Sequence, residues 1–271
     1  MPEKPRLDAT RLRGEWPPQR VAGRRARHAI AALTLTVAWL AGATPALAEP
    51  PIQSVSSGGT KRSYYLYAPA SIERSAAAPL IVLLHGSGSD GRSMLREWTS
   101  LADSQGLVLV APNATSLVGW RIREDGPEFL RDVVEAVAAQ ININRQRVYL
   151  FGFSAGAVHA LTVGAIESEY FAALAIYAGS WRDRESFVAL KFARRRIPVG
   201  LFIGDVDPLF SMPSVLSTKA AFEKAGHPVL LEVLPRQGHI YAAVSARVNR
   251  DAWEFLRSAE LADAPVYRAY K

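Results

Sequence analysis

Apolar residues along the chain gather in short, near-continuous runs, and longer amphipathic stretches separate them. Ser63 to Tyr67, Leu80 to Leu84, Leu107 to Val110, Val148 to Phe151, Ala173 to Tyr177, Val199 to Ile203 and Val229 to Leu234 read as strands. Several are apolar at successive positions, which suits strands buried on both faces. Between them, Glu128 to Gln140 spaces Phe129, Leu130, Val133, Val134 and Val137 for one buried helical face. Ala155 to Ile166 reads as a second helix, and Ala246 to Leu256 as a last amphipathic one, while Asn142 to Arg145 reads as a turn. The alternation predicts an α/β domain: a mostly parallel sheet, helices on both faces, and a ligand site off the carboxyl ends of the strands.

The first 48 residues follow another pattern. Arg24, Arg25 and Arg27 precede an uncharged, largely apolar run from Ala29 to Ala41, then a stretch ending in Ala46-Leu47-Ala48. That run is too short to cross a bilayer, which takes about 20 residues, and small residues at Ala46 and Ala48 suit signal peptidase. Residues 1–48 are therefore expected to be a signal peptide cleaved after Ala48, leaving a secreted or periplasmic protein with no stable membrane anchor. Residues 49–59, with Pro50, Pro51, Gly58 and Gly59, read as a linker, and residues 60–271 as one catalytic domain.

Charge changes the picture only by exclusion. The 271 residues carry a formal net charge of +7. Eight of the 32 basic and three of the 25 acidic side chains lie in residues 1–48, so the remainder is nearly balanced. Such a balance offers no footprint for nucleic acid, and Arg194-Arg195-Arg196 reads as a solvated helix end. Cysteine is absent, which removes disulfides, thiol nucleophiles and thiolate metal sites.

The candidate chemistry lies at Gly152-Phe153-Ser154-Ala155-Gly156, between a strand-like run and a helix-like one. A strand-to-helix turn this tight strains the serine backbone, exposes its hydroxyl and leaves no room for side chains at the flanking glycines. A serine hydroxyl needs a general base, and the base needs an anion to hold its tautomer. Of five histidines, His239 is the expected base: it follows the last strand in Arg236-Gln237-Gly238-His239. His159, five residues beyond the serine, reads as a helix-face residue. Where a serine sits on such a turn the chain order is nucleophile, acid, base. The strand from Val199 runs into Gly204-Asp205-Val206-Asp207-Pro208, and Asp207, restrained by the following proline, is chosen over Asp205 at the strand end.

Stabilising a developing oxyanion takes two backbone N–H groups, each worth roughly 3 kcal/mol of barrier. Ala155 is expected to supply one, and Ser87, in the glycine-rich turn His85-Gly86-Ser87-Gly88-Ser89, the other. Spacings typical of zinc sites and phosphate-binding loops are missing, so neither metal nor organic cofactor is expected. His85 and, around the strand end at Pro112, Trp120 and Arg121 are expected against substrate together with Trp181, although Trp120 and Trp181 equally suit a role capping the core. The segment between Trp181 and Pro198 is too short for a large lid.

Leu83-Leu84-His85-Gly86, Asp125 to Leu130, the run from Arg147 to Gly156, Gly204-x-x-Asp207-Pro208 and Gly238-His239 together resemble the polyhydroxybutyrate depolymerase and feruloyl esterase group of secreted α/β-hydrolases. The likeness covers most of residues 60–260. It implies an α/β-hydrolase fold and ester hydrolysis with Ser154, Asp207 and His239 as triad, acting on short-chain, hydroxyalkanoate or aromatic acyl esters, some of them polymeric. The chain departs from the group at Ser87, where members often carry cysteine, and at Ile240, where an aromatic residue often follows the final Gly-His. Two other readings stand beside it: an exported serine peptidase of prolyl-oligopeptidase type, and a catalytically silent binding protein on the same fold.

Overall fold

The computed structural model describes residues 50–72 and 76–268. The expected signal peptide, with its cleavage point, lies outside the described residues. Among the described residues no helix is long and apolar enough to cross a membrane. The described residues form one compact unit.

Among the described residues, eight strands make a single sheet in the order β1-β2-β4-β3-β5-β6-β7-β8. They are β1 (Ile52–Ser57), β2 (Thr60–Tyr67), β3 (Ala78–Leu84), β4 (Val108–Pro112), β5 (Ile143–Phe153), β6 (Ala173–Tyr177), β7 (Val199–Gly204) and β8 (Val229–Leu234). From β4 onward across the sheet every pairing is parallel, while β2 runs antiparallel to both of its neighbours. Strands buried on both faces need apolar residues at every position: Leu80, Ile81, Val82, Leu83 and Leu84 all have zero exposure.

Six helices of the described residues cover the sheet: α1 (Gly91–Gln105), α2 (Pro127–Ala138), α3 (Ala155–Ile166), α4 (Arg184–Val188), α5 (Met212–Lys224) and α6 (Ser245–Leu256). The pleat of β5 sorts their faces. Phe151 meets Trp98 of α1 edge-on at 4.8 Å, and Tyr149 meets Trp253 of α6 at 5.9 Å. Leu150 points the other way, toward α3, where a side chain at Gly164 would come within 2.3 Å of Leu174 Cδ2. Helix ends follow local chemistry. Asp90 caps α1 by accepting from the Ser93 amide, Gly106 at φ 65° stops it, and Pro127 opens α2 where no intrahelical donor is needed. The segment between β6 and β7 holds only α4 and a short 3₁₀ turn at Ala189–Phe192, so no large lid forms there.

Two sequence expectations are corrected here. Within the expected linker, residues 52–57 form a strand instead: β1 pairs along its length with β2, from Ile52 opposite Tyr65 to Ser57 opposite Thr60. Gly58 and Gly59, at φ 55° and 75°, form the two-residue hairpin turn that needs left-handed backbone at both positions. Asn142 to Arg145 is likewise no turn, since β5 starts at Ile143 and pairs it with Ala78.

Candidate active site

β3 and β5 are neighbours, yet β3 leads in sequence to β4 on its other side. The carboxyl ends of β3 and β5 thus flank the point where the strand order reverses, and a crevice opens there. Ser154 stands in it, one residue after β5 and one before α3, at φ 55° and ψ −118°. Such backbone costs a non-glycine residue about 1–3 kcal/mol. Close packing enforces it. A Cβ on Gly152 would fall 2.3 Å from the Gly156 carbonyl oxygen, and one on Gly156 would fall 2.1 Å from that of Leu84. The Ser154 amide is anchored by donating to the Tyr177 carbonyl at 3.1 Å.

His239 Nε2 lies 2.8 Å from Ser154 Oγ, and His239 Nδ1 lies 2.8 Å from Asp207 Oδ2. The loops that carry Asp207 and His239 are joined to each other. The Val206 amide donates to the Gln237 carbonyl at 3.1 Å, and a side chain on Gly204 would collide with that same oxygen at 2.0 Å. Asp207 has a fully buried side chain, and its Oδ1 accepts from the Leu209 and Phe210 amides at 2.8 and 2.9 Å. Both carboxylate oxygens are therefore occupied and the group is held in one orientation. Asp205, by contrast, is exposed. Phe210 stacks on the His239 ring at 5.7 Å. Tyr177 donates its hydroxyl to the Gly238 carbonyl at 2.8 Å and so fixes the residue before His239. Burial, and then the nearby Asp207 charge, push the Tyr177 hydroxyl up to about 12, so it remains a donor at neutral pH.

Ala155 heads α3, where first-turn amides have no intrahelical acceptor. The loops after β3 and β4 lie against it: a Cβ on Gly86 would be 3.2 Å from Ser154 Cβ, and one on Gly119 would be 3.4 Å from Ala155 Cβ and 3.6 Å from Ser87 Oγ. Ser87 donates its hydroxyl to the Val118 carbonyl at 2.6 Å, and the Gly88 amide donates to that of Leu117 at 2.7 Å. The structure thus brings Ser154, Asp207, His239, Ala155 and Ser87 to one place. Beside Ala155 opens a cleft of about 550 Å³, lined among others by Val118, Trp120, Val158, His159 and Glu185.

The four residues expected against substrate divide. Trp120 lines the cleft, sandwiched between His85 at 4.9 Å and His159 at 5.2 Å. Arg121 is exposed and ties its amide to Asp125 Oδ2 at 2.9 Å. Trp181 is corrected: at 1 % exposure it stacks on Phe222 of α5 and meets Phe187 of α4, capping the core. His85 is also corrected. It is buried, Nε2 accepts from the Ala114 amide at 3.1 Å, Nδ1 faces the Gly86 carbonyl at 2.8 Å, and its own carbonyl accepts from Trp120 Nε1 at 2.8 Å. Both ring nitrogens are used within the protein, so His85 braces the loop after β3 and Trp120. Burial pushes it below the usual histidine range.

Sequence reasoning passed over the brace beneath Trp120. Asp125, with no exposure, accepts from Arg62, from the amide and hydroxyl of Thr115 and from the Arg121 amide. Burial alone would raise its carboxyl, but those donors and the Arg62 charge hold it below the usual carboxylate range. Arg62 in turn lies over the Phe129 ring at 3.6 Å. Among the described residues, no three His, Asp or Glu side chains gather as a metal-binding group.

A family model described as the alpha/beta hydrolase family matches residues 81–270. A bifunctional acetylxylan esterase/xylanase of Neocallimastix patriciarum is 27% identical over 241 residues, covering 77% of this chain and 35% of that protein. A poly(3-hydroxybutyrate) depolymerase of Ralstonia pickettii is 26% identical over 182 residues, covering 52% of this chain and 37% of that protein. The chain thus spans little more than a third of either relative. Among solved structures, a ferulic acid esterase of Anaeromyces mucronatus in complex with ferulic acid superposes with a TM-score of 0.60 at 16% identity, over 78% of this chain and 90% of that one.

Proposed function

Because the chain belongs to the alpha/beta hydrolase family, we propose that it is an exported serine esterase that cleaves carboxylic esters through an acyl-enzyme on Ser154. One observation carries the reading: the hydrogen-bonded line Ser154–His239–Asp207, with both contacts at 2.8 Å. A buried carboxylate can only accept from His239 Nδ1, so that nitrogen holds the proton and Nε2 is free to take the one on Ser154 Oγ. As Oγ attacks the ester carbonyl, the Ala155 and Ser87 amides receive the developing oxyanion, each donor worth about 10²–10³ in rate. The imidazolium then protonates the departing alcohol. Water deprotonated by the same nitrogen releases the acid.

Support for apolar acyl groups comes from the rim of the site. Leu117, Val118 and Ile240, at 77%, 85% and 72% exposure, stand on the loops after β4 and β8, and Val206 and Leu209 on the loop after β7. With an open cleft beside Ala155, the reading extends to hydroxyalkanoate and aromatic acyl esters, polymeric ones included. The names of the relatives point the same way. Export is proposed from residues 1–48 alone, and an exported product beginning at Glu49 is the expected outcome of N-terminal sequencing.

The test is hydrolysis of 4-nitrophenyl butyrate, with a fluorophosphonate label to count active serines. Ser154→Ala should lose the label and at least 10³-fold of kcat while keeping its far-UV spectrum. A Ser154→Ala protein that still turns over the ester would sink the assignment. Cleavage of an aminoacyl amide with no ester activity would replace it with the peptidase reading.

A further inference from the structure

Polar groups that line the cleft beside Ala155 are mostly committed elsewhere. Thr162 donates to the Val158 carbonyl and accepts from Trp181 Nε1. The Asp183 carboxylate is taken up by the amide and hydroxyl of Ser186. His159 differs. It is 95% buried within the cleft wall, and its Nε2 lies 2.9 Å from the Asp125 carbonyl oxygen. A carbonyl cannot donate, so Nε2 carries the proton. Burial holds the ring neutral, pushing it down to about 4. Nδ1 then has a lone pair and no proton at neutral pH, at the edge of a ring stacked on Trp120.

On the esterase reading above, we propose that His159 is a specificity-determining residue whose Nδ1 accepts a hydrogen bond from a hydroxyl on the acyl group seated against Trp120. The acyl rather than the alcohol part belongs here because the alcohol must leave beside His239, which does not line this cleft. His159 stands four residues beyond Ala155 on α3, roughly 6 Å along the helix axis. The hydroxyl read is therefore several bonds from the scissile carbonyl. A site that offers an acceptor to a substrate hydroxyl discriminates against the analogue without one, because the acceptor is then dehydrated and unpaired.

Two substrate pairs test this: methyl 4-hydroxycinnamate against methyl cinnamate, and methyl 3-hydroxybutyrate against methyl butyrate. The wild-type protein should favour the hydroxylated member of at least one pair by tenfold or more in kcat/KM. His159→Leu, which fills similar space without an acceptor, should bring that ratio below threefold. His159→Gln, which keeps an N–H for the Asp125 carbonyl and an acceptor oxygen, should restore most of it. Each ratio is taken within one preparation, so partial folding of a variant does not affect it. Equal rates within both wild-type pairs, or a His159→Leu protein that keeps the preference, would overturn the inference and leave the esterase reading intact. Failure to hydrolyse any of these esters or 4-nitrophenyl butyrate would overturn the esterase reading, and the inference with it.

Discussion

Asp205 and Asp207 stand two residues apart at the end of β7, and only one has its oxygens aimed by the fold. Asp207 is locked by two amides and His239, whereas Asp205 is exposed. Asp207→Asn should therefore lower kcat on 4-nitrophenyl butyrate by about 10⁴-fold, since an amide favours the wrong His239 tautomer, while Asp205→Asn stays within threefold of wild type. In the sequence Pro208 is what sets Asp207 apart, because a restrained turn is a local property, and the structure places Asp207 beside His239. The fate of the other histidines was not legible, since it depends on burial. His159 is held down to about 4 and His85 is lowered too, in both cases chiefly by burial. An unfolded chain protonates its histidines near 6.5, so between about pH 6.5 and 4 the unfolded state binds protons that the native state refuses. Stability must then fall as pH falls through that window, by about 3 kcal/mol from His159 alone. Urea unfolding at pH 7 and pH 4.5 should show the loss, and His159→Gln should show a smaller one; equal slopes for the two proteins would contradict the burial of a neutral imidazole.

Elements buried on both faces were readable to within a few residues, because a strand or helix with no wet face can hide its identity only at its ends. β6 and α3 fall on the expected residues, and so does the edge strand β8, whose run from Val229 to Leu234 is apolar at all but Glu232 although it is only half-buried. β1 escaped because an edge strand needs apolar residues only where it touches the sheet, and Ile52–Ser57 alternates exposed and half-buried positions with two glycines behind it. Trp181 escaped for the opposite reason. A large aromatic just past a strand end suits a ligand site or a helix contact equally well, and the packing of α4 and α5 decides it. Trp181→Ala should therefore cost about 3–5 kcal/mol of unfolding free energy and leave KM for a small ester unchanged. A raised KM at unaltered stability would return Trp181 to the substrate site. The brace under Trp120 was beyond reach of the sequence because Arg62 and Asp125 are 63 residues apart and owe their pairing to the antiparallel contact of β2 with β4.

Across the whole sheet, the order β1-β2-β4-β3-β5-β6-β7-β8 places the first four strands of the chain on one side and the last four on the other. The β3–β5 boundary is a seam between two sequence-contiguous halves, and the crevice sits on top of it. His85, Ser87 and Trp120 belong to the earlier half, while Ser154, His159, Asp207 and His239 belong to the later one. Besides the β3–β5 ladder, α1 meets α6 across the seam, where the Glu97 carbonyl accepts from Asn249 at 2.8 Å and Gln105 accepts from Trp253 at 3.2 Å. A chain broken after Gln140, which is exposed between α2 and β5, would leave Ser154, Asp207 and His239 on one piece and Ser87 on the other. Each fragment alone should be inert, and the two expressed together should recover ester cleavage; a later fragment active by itself would rule this out. Fused to two interacting partners, the halves would then make a split reporter whose colour develops only when its pieces meet.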